Sequence, residues 1–225
     1  MWIFESKKRN SFLAANPKVL TQTLRYQKNL SRLTGKRQYL HFLLKSMGKQ
    51  FGPEYVMLVR NPYNRVESFF KEKLRQKVRK ALDAKQPYIL KRHQMIFYDF
   101  LGINKSASVQ HQVDSLLGLD FKSFVKLIPR VYHLEDHIAP QTYNFSLTRF
   151  GMSLTMHMNR YVKLESAEDM VWMAKYFDLD LSERRNSTIE EQELLEWDDE
   201  CISIVQRIYK RDFEIFGYDA NRQLM

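Results

Sequence analysis

Two segments of this chain follow one plan, and the plan narrows what it can fold into. Ser11-Phe12-Leu13-Ala14-Ala15 is a short, mostly apolar run closed by Asn16-Pro17-Lys18. Tyr55-Val56-Met57-Leu58-Val59 is a second such run, preceded by Gly52-Pro53 and closed by Arg60-Asn61-Pro62. Runs this short, bounded by turn-forming residues, read as buried strands. Each is followed by a helical pattern. The chain thus holds two strand–turn–helix units, each with one cation at its turn. Such a pair suits a ligand that carries two separate phosphate groups.

In the first unit Asn16-Pro17 breaks the strand. From Thr21 onward Leu24, Leu30 and Leu33 recur at roughly helical spacing, which predicts a helix that starts near Thr21 or Gln22 and takes in these leucines. The first backbone N–H groups of a helix lack internal partners, and the helix dipole adds partial positive charge there. A phosphate-like group is well held at such a place. Lys18 would add a full charge, and Thr21 and Thr23 would add hydroxyl donors. Taken alone, Lys18 reads first as a solvated lysine in an ordinary turn, because no GxxxxGK[ST] loop is present.

In the second unit Asn61 is a good N-cap and Pro62 a favoured first helical residue. That places Arg60 at the carboxyl end of a strand, the edge at which open α/β sheets bind ligands. The guanidinium fork can take phosphate oxygens in a bidentate way. Ser68, inside the helix, could reach the same anion. The competing reading makes Arg60 a structural ion-pair partner and gives Ser68 no role.

These residues carry a resemblance. Pro17-Lys18-Val19-Leu20-Thr21-Gln22-Thr23 resembles the 5′-phosphosulfate loop of the carbohydrate-type sulfotransferases, which use 3′-phosphoadenosine 5′-phosphosulfate (PAPS). Val59-Arg60-Asn61-Pro62, with Arg65 and Ser68 downstream, resembles their 3′-phosphate motif. Glu135-Asp136-His137-Ile138-Ala139-Pro140-Gln141 is similar to their acidic-His-x-x-Pro-Gln segment. The stretch Tyr209 to Tyr218 is similar to their Tyr-x-x-Asp-x-x-x-Phe-Gly-Tyr ending. The four matches keep the family's order and span nearly the whole chain. Some positions depart from it. Leu20 and Gln22 stand where smaller or hydroxyl residues are common, Asn61 where Asp is usual, and Ile138 where Trp often follows the histidine.

The resemblance implies an α/β, P-loop-like single domain with a central, mostly parallel sheet flanked by helices. Tyr161-Val162-Lys163-Leu164 reads as a later strand, helix should exceed strand, and residues 71–117 read as a basic helical insert. It also implies that Lys18, Val19, Thr21, Gln22 and Thr23 hold the phosphosulfate and that Arg60 and Ser68 hold the 3′-phosphate. No metal is required. Transfer of a sulfuryl group to an acceptor hydroxyl needs a base for the acceptor's proton. Histidine suits that task, with an ordinary pKa of about 6.5. His137 is the candidate, with Glu135 or Asp136 available to orient its ring. Lys18 would stabilise charge on the departing phosphate. His133 is the rival base, but Pro129 and Pro140 argue that this stretch is a loop, which separates the two histidines. His41, His93, His111 and His157 match no motif and read as surface or core residues.

A chain of 225 residues with 44% hydrophobic content can form one domain with a real core. Its single cysteine, Cys201, excludes an intramolecular disulfide and, lying among Ile202, Ile204 and Val205, reads as a buried inert thiol. No long apolar stretch or signal peptide is visible, and the sequons at Asn29, Asn144 and Asn186 then read as chance. These features fit a soluble, cytoplasmic protein or a trimmed domain. The net charge is +10, and the run from Lys71 to Arg92 holds nine Lys or Arg against Glu72 and Asp83. That run is either a solvated basic face or an attraction for PAPS, an acidic glycan or nucleic acid. Scattered aromatics and the lack of a recognisable module argue against nucleic acid. The acidic stretch from Glu183 to Glu200 should cap a last helix whose apolar face runs from Leu194 to Phe216. Two other functions are open to the same residues. A nucleotide-dependent kinase would need a Walker loop and a magnesium carboxylate, and neither is found. A non-catalytic binder of anionic glycan or nucleic acid would keep the fold without binding the donor. No motif names the acceptor beyond the carbohydrate preference that the resemblance implies.

Overall fold

The computed structural model describes residues 2–16, 20–35, 53–83, 92–149, 152–155, 158–182 and 195–221. Pro17, Lys18, Val19, His41, His157 and the acidic residues from Glu183 to Glu193 lie outside them. In chain order the elements are β1 (Trp2–Ser6), β2 (Ser11–Ala15), α1 (Thr21–Arg25), β3 (Leu30–Arg32) and β4 (Glu54–Val59). Then come α2 (Pro62–Phe69), a π-helical segment (Phe70–Gln76), α3 (Lys77–Asp83), α4 (Arg92–Met95), α5 (Tyr98–Leu101), α6 (Val109–Leu117) and α7 (Phe121–Val131). The chain ends with β5 (Ser146–Arg149), β6 (Met152–Thr155), β7 (Arg160–Lys163), α8 (Ala167–Phe177), α9 (Asp199–Ile208) and α10 (Lys210–Phe216). Helical residues outnumber strand residues among those described. None of the described helices is long and apolar enough to cross a membrane.

The chain divides into two compact units. Residues 1–61, 140–187 and 214–218 form the first, and residues 62–139, 188–213 and 219–225 form the second. The first contains a five-stranded sheet in the order β3-β1-β2-β4-β7 and a separate β5-β6 hairpin. β4 pairs in parallel with β2 and with β7. β1 pairs antiparallel with both β2 and β3. The sheet is therefore mixed, not mostly parallel. The cause is β1, which the motifs do not announce. Only Lys7–Asn10 separate it from β2, a link too short for a parallel crossover, so the pair must be a hairpin.

The leucine spacing after Thr21 also resolves differently. α1 stops at Arg25, and Leu30–Arg32 is a strand on the far edge of β1. Lys7 N–H donates to Asn29 O at 3.0 Å, and Leu33 N–H donates to Ile3 O at 2.9 Å. Leu24 and Leu30 still share one core, but a helix supplies the first and a strand the second.

Both faces of the sheet are covered, so its strands read as continuous apolar runs. Phe4, Leu13, Ala15, Val56, Leu58 and Val162 face one side, where α8 lays Met170, Met173 and Phe177 over them. Ile3, Phe12, Ala14, Tyr55, Met57 and Val59 face the other, with Phe216 packed against them. α8 is capped by Ser166, whose hydroxyl accepts from Asp169 N–H at 3.1 Å, and Glu168 and Asp169 complement its dipole.

In the second unit α2 runs on through the π-helical segment into α3. Phe69, Phe70, Leu74 and Val78 are buried along it, and Phe69 stacks on Phe124 of α7 with ring centroids 5.8 Å apart. The basic run is only partly a surface. Arg75 is buried, lies over the Phe70 ring at 4.1 Å, and donates to the carbonyls of Leu116, in the last turn of α6, and of Leu119 just beyond it. Lys77, Arg79 and Lys80 are exposed. Pro129 does not break α7. It sits in the last turn, where it removes one backbone donor, and a short 3₁₀ turn (Tyr132–Leu134) follows. Asp198 caps α9, accepting from Cys201 N–H at 2.8 Å. The Cys201 thiol is fully buried, and burial, helped by the Asp198 carboxylate, pushes it up to about 12, as expected of an inert thiol.

Leu58 has no exposed surface and lies between two parallel neighbours. Leu58→Ala should cost about 3 kcal/mol, seen as a lower urea midpoint at an unchanged m-value.

Candidate active site

The parallel register puts the two turn residues of the first unit side by side. Ala15 pairs with Leu58 and Val59 with Lys163, so β2, β4 and β7 end at one edge of the sheet. Asn16, Arg60 and the residues after β7 emerge there. Gln141 is fully buried and completes β4 beyond its last strand residue. Its Oε1 accepts from Arg60 N–H at 3.0 Å, and its Nε2 donates to Arg60 O at 2.7 Å. Its own carbonyl accepts from Asn16 Nδ2 at 3.5 Å. Glu165, just past β7, accepts from Asn61 N–H at 3.0 Å and from the Tyr218 hydroxyl at 2.9 Å. Its Oε1 lies 3.9 Å from Arg60 Nε. Arg60 is about a quarter exposed.

The remaining donor-site candidates fall as follows. Lys18 and Val19 lie outside the described residues. Thr21 opens α1, behind Leu20 in a left-handed conformation (φ 55°). Thr21 is half-buried and Gln22 exposed, while Thr23 is buried, with no hydrogen-bond partner for its hydroxyl among the described residues. Ser68 is half-buried on α2 in the second unit.

His137 stands in the second unit in a loop strapped at three successive carbonyls. Arg65, fully buried on α2, donates from Nη2 to Asp136 O at 2.6 Å and from Nε to His137 O at 3.0 Å. The buried Tyr209 hydroxyl donates to Ile138 O. The N–H groups of Ile138 and Ala139 both donate to Glu135 O at 3.0 Å. Of the two neighbouring acids, Glu135 is buried and holds the ring, while Asp136 is exposed. Glu135 Oε1 meets His137 Nδ1, which leaves Nε2 as the ring's acceptor nitrogen. His133 is exposed and packs on Tyr132. His93, from α4, meets Glu135 Oε2 through its Nδ1 at 2.9 Å.

Burial would raise the Glu135 carboxyl, but the hydrogen bonds and charge of His137 and His93 hold it well below the usual carboxylate range. Burial lowers His137 from its ordinary 6.5. The Glu135 contact opposes that, while His93 and Lys73 add to it. His93, Glu135 and His137 have ligand-type atoms within 4.8 Å of one another, a spacing that could hold a cation. Here each Nδ1 contacts a different oxygen of the one carboxylate.

A family model described as the sulfotransferase family matches residues 4–219. The chain belongs to the sulfotransferase family. No curated protein and no solved structure matches it. Membership supports sulfuryl transfer as the activity of this chain, with a hydroxyl group as the general acceptor class.

Within this sulfotransferase the motif residues acquire physical reasons. Gln141 fixes the backbone of Arg60, and Tyr209 fixes the backbone beside His137. Gly217 takes a left-handed φ of 63° and offers its carbonyl to Lys163 Nζ. Two residues were not foreseen. Glu165 could have been found from its place just after a strand ending at the ligand edge. His93 had no such signal, since only tertiary folding brings it to Glu135.

Glu135 and His137 both bind protons more weakly in the folded chain than in the unfolded one. Stability should therefore be full above pH ~6.5 and fall on acidification, first through the ordinary histidine range and then below about 4.5. Urea midpoints between pH 8 and 3 should show this fall. Glu135→Gln should flatten its lower part.

Proposed function

We propose that this sulfotransferase moves a sulfuryl group from PAPS to a hydroxyl of a carbohydrate acceptor, on a P-loop-like fold and in the cytoplasm. The observation that carries the reading is the Glu135–His137 pair, a half-buried imidazole held through Nδ1 in a chain of this family. His137 Nε2 takes the acceptor's proton as the acceptor oxygen bonds to sulfur. The sulfur–oxygen bond to the phosphate breaks, and its electron pair leaves with adenosine 3′,5′-bisphosphate. Lys18, with Val19, Thr21, Gln22 and Thr23, holds the 5′ side and offsets the charge gained by the leaving phosphate. Arg60 and Ser68 bind the 3′-phosphate, which separates PAPS from ATP. The emergence of Arg60 and Asn16 from one sheet edge supports a donor site there. No residue in this scheme needs a metal. The lone cysteine supports the cytoplasmic assignment.

Adenosine 3′,5′-bisphosphate at 100 times its dissociation constant should stabilise the protein by about 2.7 kcal/mol. ADP and 5′-AMP should do much less, and Arg60→Ala should abolish the effect. An equal response to ADP would overturn the donor assignment. With ³⁵S-labelled PAPS and chemically desulfated glycosaminoglycans, His137→Ala should lower kcat by about 10²–10⁴-fold at unchanged bisphosphate binding. Unchanged kcat would remove His137 from the chemistry.

A further inference from the structure

Glu135 is 5% exposed, and an imidazole occupies each of its oxygens. The rings of His93 and His137 meet edge to face with centroids 4.6 Å apart. An ionised carboxylate only accepts, so each ring must be the donor in its own contact. Both histidines are thereby held as Nδ1–H tautomers. Oε1 also accepts from His137 N–H at 3.1 Å, so without His93 it is Oε2 that would be left buried without a donor. With both oxygens held, the carboxylate plane is fixed, and so is the direction in which it points at His137.

We propose that His93 is a positioning residue for His137: by donating Nδ1–H to the second oxygen of Glu135, it locks the carboxylate that holds His137 with Nε2 as its basic nitrogen. This deepens the reading of His137 as the base and rests on it. His93 does not touch the reacting atoms. It acts through Glu135. The other charged groups facing His137 are Lys73 of the π-helical segment and Arg65 of α2, which binds the His137 carbonyl. Asp136, next in the chain, is exposed. None of them touches the second oxygen of Glu135 in the contacts described. Loss of His93 would leave Glu135 more strongly drawn to His137 alone and remove a repelling neighbour. The His137 midpoint should then rise.

The test is a pH titration of ¹⁵N-histidine-labelled full chain by NMR, in EDTA, with the His137 signals assigned through His137→Gln. The wild type should show His137 as the Nδ1–H tautomer. His93→Leu should raise its midpoint by about 0.5–1 unit and mix its tautomers. His93→Asn places an amide donor where Nδ1 stood, so it should retain the tautomer. His93→Gln, one methylene longer, should not. In the ³⁵S transfer assay His93→Leu should lower kcat about 10–100-fold with little change in KM for PAPS, and His93→Asn should recover most of it. A folded His93→Leu protein with the His137 tautomer and midpoint unmoved overturns the proposal. If that variant does not fold, identical His137 signals in the Asn and Gln variants overturn it instead. The NMR readout needs no turnover. If the coupling appears but PAPS is not turned over, the positioning role stands and the sulfotransfer reading falls.

Discussion

The parallel register of β2 against β4 is the constraint on which the first unit depends. Both faces of these strands are buried, so a slip of β2 by one residue would exchange Leu13 and Ala15 with Phe12 and Ala14. The two cores are not interchangeable. One receives Met170, Met173 and Phe177 from α8, the other Phe216 and Met158. Packing thus sets the register, and the register in turn sets which residues leave the sheet together. Asn16 and Arg60 are neighbours because Ala15 must lie beside Leu58. Beyond Val59 the ladder continues on a side chain. A primary amide offers a donor and an acceptor in one plane, as a peptide group does. Gln141 uses both on Arg60, so the backbone at the sheet edge is held as firmly as a strand although no further strand is there.

In the second unit a loop is made rigid by a different device. Loops on surfaces are mobile when their backbone groups bond to water. From Asp136 to Ile138 each carbonyl is instead taken by a buried side chain, Arg65 for the first two and Tyr209 for the third. Arg65 is the costliest of these to bury. Its charge leaves water in exchange for carbonyl dipoles, and removing it would leave two acceptors unsatisfied. Such an arrangement is hard to justify by stability alone. It makes sense where a side chain in the loop, here His137, must be held in one direction.

How much of this was legible follows from what sequence patterns encode. The strands at Ser11–Ala15, Glu54–Val59 and Arg160–Lys163 were readable, since short apolar runs between breakers have few other uses. β1 was not, because Trp2–Ser6 mixes Glu5 and Ser6 with its apolar residues and carries no motif. The helix expected through Leu30 failed because periodicity cannot tell one helix from a helix and a strand that feed the same core. Pro129 lies inside the last turn of α7 at the cost of one backbone hydrogen bond, and beyond Leu134 the stretch that leads to His137 is a loop, as its prolines suggest. At the candidate site, Arg60, Gln141 and His137 stood in motifs. The choice of Glu135 over Asp136 was open in sequence, as both flank the histidine, and burial decides it. His93 was beyond reach, because its meaning lies wholly in a partner supplied by another part of the chain.

Charge accounting at the sheet edge bears on the proposed role of Arg60. A cation intended for a phosphate must not be bound so well at rest that the ligand cannot compete. The Arg60–Glu165 ion pair is long, 3.9 Å, and both side chains keep about a quarter or more of their surface in solvent. At that separation the contact is too long for a hydrogen bond. Glu165 is also committed elsewhere, to Asn61 N–H and the Tyr218 hydroxyl. Its carboxylate therefore stays in place whether or not Arg60 leans toward it. Burial, followed by the charge of Glu165 and its hydrogen bond, pushes the Tyr218 phenol up strongly, so this partner remains a donor at any working pH. An incoming phosphate, with more charge and more acceptor oxygens than one shared carboxylate, would displace that contact without dismantling the turn behind it.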